Sequence, residues 1–170
     1  MVPGLLRCAC ILNIEDTMNA TAPNDGSVYL APPDVLVPEP SVQGVAQALA
    51  WLEALAERDG WPARTLFALT LCADEALTNV VSYAQAPPGQ PQLGLRLECG
   101  RTPYGVALRM EDDGAAFDPT AQEPPELALS LDDARVGGHG LRLMRHYLHT
   151  LHYQRQGERN VLLLGAAWAA

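Results

Sequence analysis

The stretch LGLRLECGRTPYGVALRMEDDG, residues 93–114, decides the fold. Apolar residues alternate with polar or small ones over residues 93–99 and again over 106–110, which is the period of a strand with one buried face. Residues 100–105 carry two glycines and a proline and predict the turn of a β-hairpin. The second strand runs straight into Glu111-Asp112-Asp113-Gly114, so carboxylates stand at the end of a buried strand.

Two helices are predicted before this hairpin. A short extended segment around residues 35–37 leads to Ser41, which can cap a helix that ends at Asp59-Gly60. Apolar residues at steps of three and four support this first helix. A second helix opens at Trp61-Pro62 and stops before Pro87-Pro88.

The segment after the hairpin is long for a loop. Residues 118–136 are rich in Pro, Ala and acidic residues, and one helical turn is predicted within them at 127–133. Loops of this length are often lids or binding loops. Gly137-Gly138-His139-Gly140 follows and precedes a third helix, and a closing hairpin turned at Gln156-Gly157 ends the chain.

The resulting order is β-α-α-β-β-loop-α-β-β. It predicts an α+β fold, a two-layer α/β sandwich in which a mixed or mainly antiparallel sheet carries its helices on one face. The 170 residues suit one domain, which we place at residues 27–170. Residues 1–26 are predicted to be a poorly ordered N-terminal extension.

Composition excludes several classes of function. The net charge is −9 and only 11 basic residues are present, in no run, which argues against nucleic acid as a partner. No apolar run reaches the roughly 18 residues that a membrane span needs. Cys8-x-Cys10 has no second pair and does not predict zinc, while Cys72 and Cys99 are interpreted as buried free thiols in a reducing cytoplasm.

Glu75 and Asn79 form the first candidate site. They are four residues apart in the second helix and therefore share a face. We expect that face to lie roughly opposite the apolar stripe of the same helix, which comprises Leu66, Leu69, Ala73, Leu77, Val80 and Ala84. An amide oxygen can bind Mg²⁺ and a carboxylate can accept a proton, although such a pair usually belongs to a solvated helix face.

Two glycine-bearing segments lie downstream of that pair. A buried Asp112 could accept a hydrogen bond from an exocyclic amine such as that of adenine, with Gly114 allowing close approach; an ordinary Asp-Gly turn is the alternative. Residues 137–140 could present N–H groups to phosphate at a helix N-terminus, although glycine-rich turns before helices are frequent. They match neither a P-loop nor a dinucleotide fingerprint.

Taken together, the three segments resemble the ATP-binding boxes of the gyrase/Hsp90/histidine-kinase/MutL superfamily, the Bergerat fold. Residues 75–79 look like its N box, 112–119 like its Asp-x-Gly-x-Gly box, and 137–141 like its second glycine box. Small size and the Phe117-Asp118-Pro119 continuation make the chain most similar to the anti-sigma-factor serine kinases. One departure is Ala116, which replaces the second glycine of the Asp-x-Gly-x-Gly box.

The resemblance implies a role for each matching residue, with ATP and Mg²⁺ as cofactors. Glu75 would be the general base toward the substrate serine, and Asn79 would bind Mg²⁺. Asp112 would bind the adenine amine beside Gly114. The phosphate contacts would come from Gly138, Gly140 and, for the γ-phosphate, Arg135.

The same resemblance implies a cytoplasmic serine protein kinase and anti-sigma factor. Such a protein binds a sigma factor, phosphorylates a STAS-domain anti-anti-sigma partner and regulates transcription by partner switching; the resemblance also suggests a homodimer. A non-catalytic nucleotide-binding anti-sigma or scaffold module is the main alternative, and a detached histidine-kinase catalytic domain is another. The presence of Glu75 favours the kinase, since a pure binder needs no base.

Overall fold

The computed structural model describes residues 28–121 and 139–168. The predictions for residues 1–26, for the helical turn at 127–133, for Arg135 and for Gly138 lie outside these ranges. The described elements are β1 Asp34–Leu36, α1 Val42–Asp59, α2 Ala63–Tyr83, β2 Leu95–Thr102, β3 Gly105–Asp112, a 3-10 turn Pro119–Ala121, α3 His139–Tyr147, β4 Thr150–Gln156 and β5 Arg159–Ala167. Their order is the predicted one.

The five strands form one sheet in the order β1-β2-β3-β5-β4. All four pairings between neighbouring strands are antiparallel. The predicted α+β sandwich is confirmed, and the described part of the sheet is antiparallel throughout. Strand β3 lies at the centre, so the acidic segment at its end is placed inside the domain rather than at an edge.

The helix boundaries follow the predicted caps. The Ser41 hydroxyl accepts a hydrogen bond from the Gly44 N–H at 3.1 Å, which satisfies a free donor at the start of α1. Gly60 ends α1 with φ 65°, the left-handed conformation that favours glycine. The Thr65 hydroxyl donates to the Ala167 carbonyl at 2.8 Å and fixes the first turn of α2 to the end of β5.

One face of the sheet packs against the helices. The largest fully buried side chains there are Leu52, Leu69, Leu77, Leu97, Leu108, Met144 and Leu164. Cys72 and Cys99 belong to this core and are free, as predicted. Burial raises the pKa of the Cys72 thiol to about 11, so the thiol is neutral near pH 7. In the described residues, no helix has the length and apolarity needed to cross a bilayer.

The central hairpin is tighter than predicted. Strands β2 and β3 extend to Thr102 and Gly105, so only Pro103-Tyr104 form the turn. The two glycines that suggested a longer turn serve packing instead. A Cβ at Gly105 would overlap the Ala166 carbonyl, and one at Gly100 would come within 2.9 Å of the Tyr29 ring.

The packed face of α2 is wider than predicted. Leu69, Ala73 and Leu77 of the expected stripe are buried, and Leu66 and Val80 pack against the core. The face also takes in Thr65, Ala68, Cys72 and Ala76, on the side of Glu75 and Asn79. Small residues on this face allow close packing that a pattern of large apolar residues does not reveal. Glu75 and Asn79 therefore flank the packed face and are half-buried, while Asp74 and Thr78 face solvent.

Candidate functional site

Helix α2 carries the polar pair that anchors the site. Glu75 and Asn79 are both half-buried, one turn apart on the same side of the helix. Within residues 28–121 and 139–168, neither side chain forms a hydrogen bond or an ion pair with another residue. Both therefore remain available to a ligand, in a position where solvent is partly excluded.

The start of α3 meets α2 at Glu75. A Cβ placed on Gly140 would overlap Cγ, Cδ and Oε1 of the Glu75 side chain. Gly140 is buried in this contact. The third predicted segment is thus brought directly against the first, and the Glu75 carboxylate lies beside the N-terminus of a helix, where backbone N–H groups favour anions.

The segment after β3 meets the other end of the same helix. Gly114 is buried, and a Cβ there would lie 3.2 Å from the Ala84 Cβ and 3.2 Å from a Leu93 methyl group. Glu75 and Ala84 are nine residues apart, about 13 Å along an α-helix. Asn79 lies between the two contacts. The two glycine-bearing segments therefore both contact α2, Gly140 at Glu75 and Gly114 at the C-terminal end of the helix.

Asp112 is a buried acceptor at the Gly114 end. Its Oδ1 atom accepts hydrogen bonds from the Gly114 N–H at 3.0 Å and from Asn160 Nδ2 at 2.8 Å. Its Oδ2 atom accepts none from the described residues. Asp112 is 9% exposed, and this burial raises the pKa of the carboxyl group, although the bond from Asn160 opposes the shift.

Asn160 is a site residue that sequence reasoning missed. It is 6% exposed and lies directly opposite Asp112 in the β3–β5 register. Besides its bond to Asp112, Nδ2 donates to the Ala115 carbonyl at 3.0 Å. Its Oδ1 accepts from the Tyr153 hydroxyl at 2.8 Å and from Arg155 at 2.9 Å. These partners fix the orientation of the Asn160 amide. The register between the two predicted hairpins would have placed Asn160 opposite Asp112 from the sequence.

The same network holds the loop that follows Asp112. Arg155 donates to the Gly114 carbonyl at 2.9 Å, and the Phe117 N–H donates to Asn160 Oδ1 at 3.3 Å. Farther along, Arg145 of α3 donates to the Thr120 carbonyl at 3.0 Å. Strand β4, strand β5 and α3 therefore all fix the path of residues 114–120, although Ala116 and Phe117 remain exposed.

The Asp112 end of the site can bind a ligand through an amino group of that ligand. Asp112 Oδ2 is an unused acceptor, and the missing side chain of Gly114 permits close approach to the backbone. A cation at the other end would have to bring its own anionic ligands, because the described residues contain no group of three or more His, Cys, Asp or Glu that could hold a metal ion. The Asn79 amide and incoming phosphate oxygens fit Mg²⁺, which keeps much of its water.

Burial of Asp112 predicts a pH-dependent gain in stability for Asp112→Asn. The pKa of Asp112 is raised in the folded protein above its ordinary 3.8. The stabilisation that the protonated Asp112 carboxyl group gives the folded protein is therefore fully present below pH 3.8. It is lost as the pH rises through the pKa of Asp112 in the folded protein. Asparagine keeps an oxygen for Gly114 and Asn160 but carries no charge.

Thermal unfolding of both proteins tests this. The variant should melt above the wild type at pH 7, and the difference should vanish near pH 3. Asp74→Asn, on the exposed face of α2, reports the general effect of removing one negative charge from this acidic chain. A variant less stable than wild type at pH 7 would contradict the prediction.

Comparison with known proteins agrees with this geometry. Residues 39–165 match the family described as "Histidine kinase-like ATPase domain". Over 117 residues the chain is 56% identical to the serine/threonine-protein kinase BtrW of Bordetella bronchiseptica, covering 69% of this chain and 81% of that protein.

The fold also resembles a solved structure. It is the crystal structure of the RsbU and RsbW domains of a Mycobacterium tuberculosis protein, matched with a TM-score of 0.55 over 82% of this chain. The chain spans 35% of that longer protein, and the identity is 11%. This second similarity therefore concerns the fold alone.

Proposed function

The chain belongs to the histidine kinase-like ATPase domain family, and from this premise we propose that it is an ATP-dependent serine protein kinase. The observation that carries the proposal is that Gly140 and Gly114 both pack on α2, at positions about 13 Å apart along the helix axis. This spacing suits a nucleotide with its base at Gly114 and its phosphates near Glu75. The relative BtrW, named a serine/threonine-protein kinase, supports the same reaction.

The adenine end of the proposed site is built from Asp112 and Gly114. Asp112 Oδ2 accepts the exocyclic amine, while Asn160 holds Oδ1 and prevents the carboxylate from rotating. Burial strengthens this hydrogen bond, since water competes little for a group that is 9% exposed.

The phosphate end of the proposed site lies at Asn79, Glu75 and the start of α3. Mg²⁺, when bound, neutralises phosphate charge, and the Asn79 amide oxygen is the ligand this chain would supply. Glu75 accepts the proton of the attacking serine hydroxyl, for which its carboxylate is uncommitted. Gly140 would donate its N–H group to a phosphate oxygen; Gly138 and Arg135, for which phosphate contacts are also proposed, lie outside the described residues.

The proposed protein substrate is a STAS-domain anti-anti-sigma protein. In the same proposal the kinase binds a sigma factor in the cytoplasm as a homodimer, and phosphorylation of the STAS protein controls which partner it holds. The family membership supports this scheme. An acidic chain of net charge −9 is poorly suited to bind nucleic acid itself, so transcription would be regulated through protein partners.

A non-catalytic nucleotide-binding module is the second candidate. Such a module would use Asp112, Gly114 and Asn79 but would give Glu75 nothing to do. The half-buried Glu75 carboxylate forms no ion pair within the described residues, as a base held ready for a proton requires. This observation favours the kinase.

Transfer of radiolabel from γ-labelled ATP tests the proposal. The acceptor is the STAS-domain protein encoded nearest to this gene, and its variant with the candidate serine changed to alanine is the control. We expect label on the wild-type STAS protein, only with Mg²⁺, and none on the control. ATP binding without any transfer would favour the non-catalytic module instead.

A further inference from the structure

We propose that Gly140 positions the Glu75 carboxylate by leaving it the space that any side chain at residue 140 would fill. The inference rests on the proposed function, in which Glu75 is the base. This role of Gly140 is separate from the donation of its N–H group to phosphate. The absence of a side chain at residue 140, rather than the backbone amide, positions the Glu75 carboxylate.

The contact between the two residues is close. A Cβ at Gly140 would overlap three atoms of the Glu75 side chain, Cγ, Cδ and Oε1. Real Cβ atoms essentially never approach another heavy atom to less than 3.0 Å, so one of the two residues would have to move. Glu75 thus rests against the bare backbone of α3.

Backbone conformation does not explain the glycine. The described glycines with positive φ are Gly60, Gly89 and Gly157, so Gly140 has a conformation open to any residue. It lies in the first turn of a helix, where alanine is the better helix former. The space beside Glu75 is a physical reason for a residue with no side chain that the contact itself shows.

Helix α3 cannot easily move away from a larger residue. Met144, one turn farther along, is 2% exposed and belongs to the main core. At the far end of the helix pair, the Phe67 and Tyr147 rings meet edge to face with centroids 5.5 Å apart. With α3 held at these points, a methyl group at residue 140 displaces the flexible, half-exposed Glu75 side chain instead.

Displacement of Glu75 would affect the chemical step more than nucleotide binding. A misplacement of about 1 Å can cost about 100-fold in rate. Gly140→Ala keeps the backbone N–H group that the proposed function assigns to phosphate, and it does not alter Asp112 or Gly114 at the other end of the site. Gly140→Ala should therefore lower the rate of transfer while leaving the dissociation constant for Mg-ATP nearly unchanged.

A thermal double-mutant cycle tests the contact without any need for activity. Gly140→Ala is made in the wild type and in Glu75→Ala, with Arg142→Ala, at an exposed position in the same turn, as the control. Alanine is the better helix former, so we expect Gly140→Ala to raise the melting temperature of Glu75→Ala, where no side chain is left to overlap. In the wild type the same change should raise the melting temperature less, or lower it. Equal changes in the two backgrounds would overturn the proposal. If Gly140→Ala alone fails to fold while the double variant folds, the contact is confirmed.

Kinetics and calorimetry then test the role in positioning. Gly140→Ala should slow single-turnover transfer to the STAS-domain protein about 100-fold, with the Mg-ATP dissociation constant within about 3-fold of wild type. In the Glu75→Ala background it should slow transfer no further. A larger dissociation constant for Mg-ATP, with an unchanged rate of transfer at saturating Mg-ATP, would overturn the proposal. It would show that Gly140 acts through a phosphate contact alone. If the wild type transfers nothing, the proposed function fails, while the thermal cycle still decides whether the contact exists.

Discussion

Asp112→Asn should weaken Mg-ATP binding strongly while leaving the protein folded. Both hydrogen bonds that reach Asp112 from the described residues go to Oδ1, from the Gly114 N–H and from Asn160 Nδ2. An asparagine must turn its oxygen toward those two donors, because its NH₂ group cannot accept them. The NH₂ group then occupies the position of Oδ2 and meets the adenine amine, donor against donor. Loss of the acceptor and the new repulsion should together cost about 3 kcal/mol, roughly 100-fold in affinity.

Calorimetry with Mg-ATP and Mg-GTP measures this effect. The neighbouring change Asp113→Asn is the matched control, because the Asp113 carboxylate accepts from the Gly94 N–H at 2.7 Å, and an asparagine oxygen can do the same. We expect near wild-type affinity for ATP in the control. In Asp112→Asn the preference for ATP over GTP should shrink, because the new donor suits a carbonyl oxygen. Unchanged ATP affinity in Asp112→Asn would mean that Asp112 does not contact the base.

Glu75→Ala should retain ATP binding and lose phosphate transfer. A positioned general base typically contributes about 10²- to 10⁴-fold to a rate, so transfer to the STAS-domain protein should fall by at least about 100-fold. Binding should survive, because the adenine end of the site lies about 13 Å away along α2. Single-turnover transfer of radiolabel and calorimetry on the same preparations measure the two effects separately.

Asp74→Ala is the matched control for this experiment. Asp74 is an acidic residue adjacent in sequence, but it faces solvent on the opposite side of α2 from the core. Its removal changes the net charge as Glu75→Ala does and should leave transfer unaffected. Transfer at the wild-type rate in Glu75→Ala would exclude the base, and loss of ATP binding in that variant would instead assign Glu75 to the nucleotide site.

These two experiments separate recognition from chemistry, because the two proposed roles belong to residues of different elements. Asp112 lies where the central strand ends, and Glu75 lies where α3 begins. The stability prediction for Asp112→Asn adds a third measurement on the same variant. A protein that is more stable at pH 7 but no longer binds ATP would show that the buried carboxylate is kept for its ligand at a cost in folding free energy.

Local patterns in the sequence were sufficient for the architecture. Alternation in the central hairpin, the Ser41 cap and the Gly60 terminus each depend on residues close in the chain, so period and cap chemistry predict them directly. The order of elements then follows, and with it a two-layer sandwich. The motif residues Glu75, Asn79, Asp112, Gly114 and Gly140 were likewise identified from their spacing and flanking elements.

The sequence supplied the candidate residues of the site, and the tertiary structure decided how those that it describes are arranged. The packed face of α2 is wider than its stripe of apolar residues predicts, because small residues such as Ala68 and Ala76 also pack against the core. Asn160 escaped notice because its importance comes from register, a relation between strands 48 residues apart at this position. The contact of Gly140 with Glu75 arises in the same way, from two helices packing together. Such contacts are set by the whole core rather than by neighbouring residues, and no local pattern encodes them.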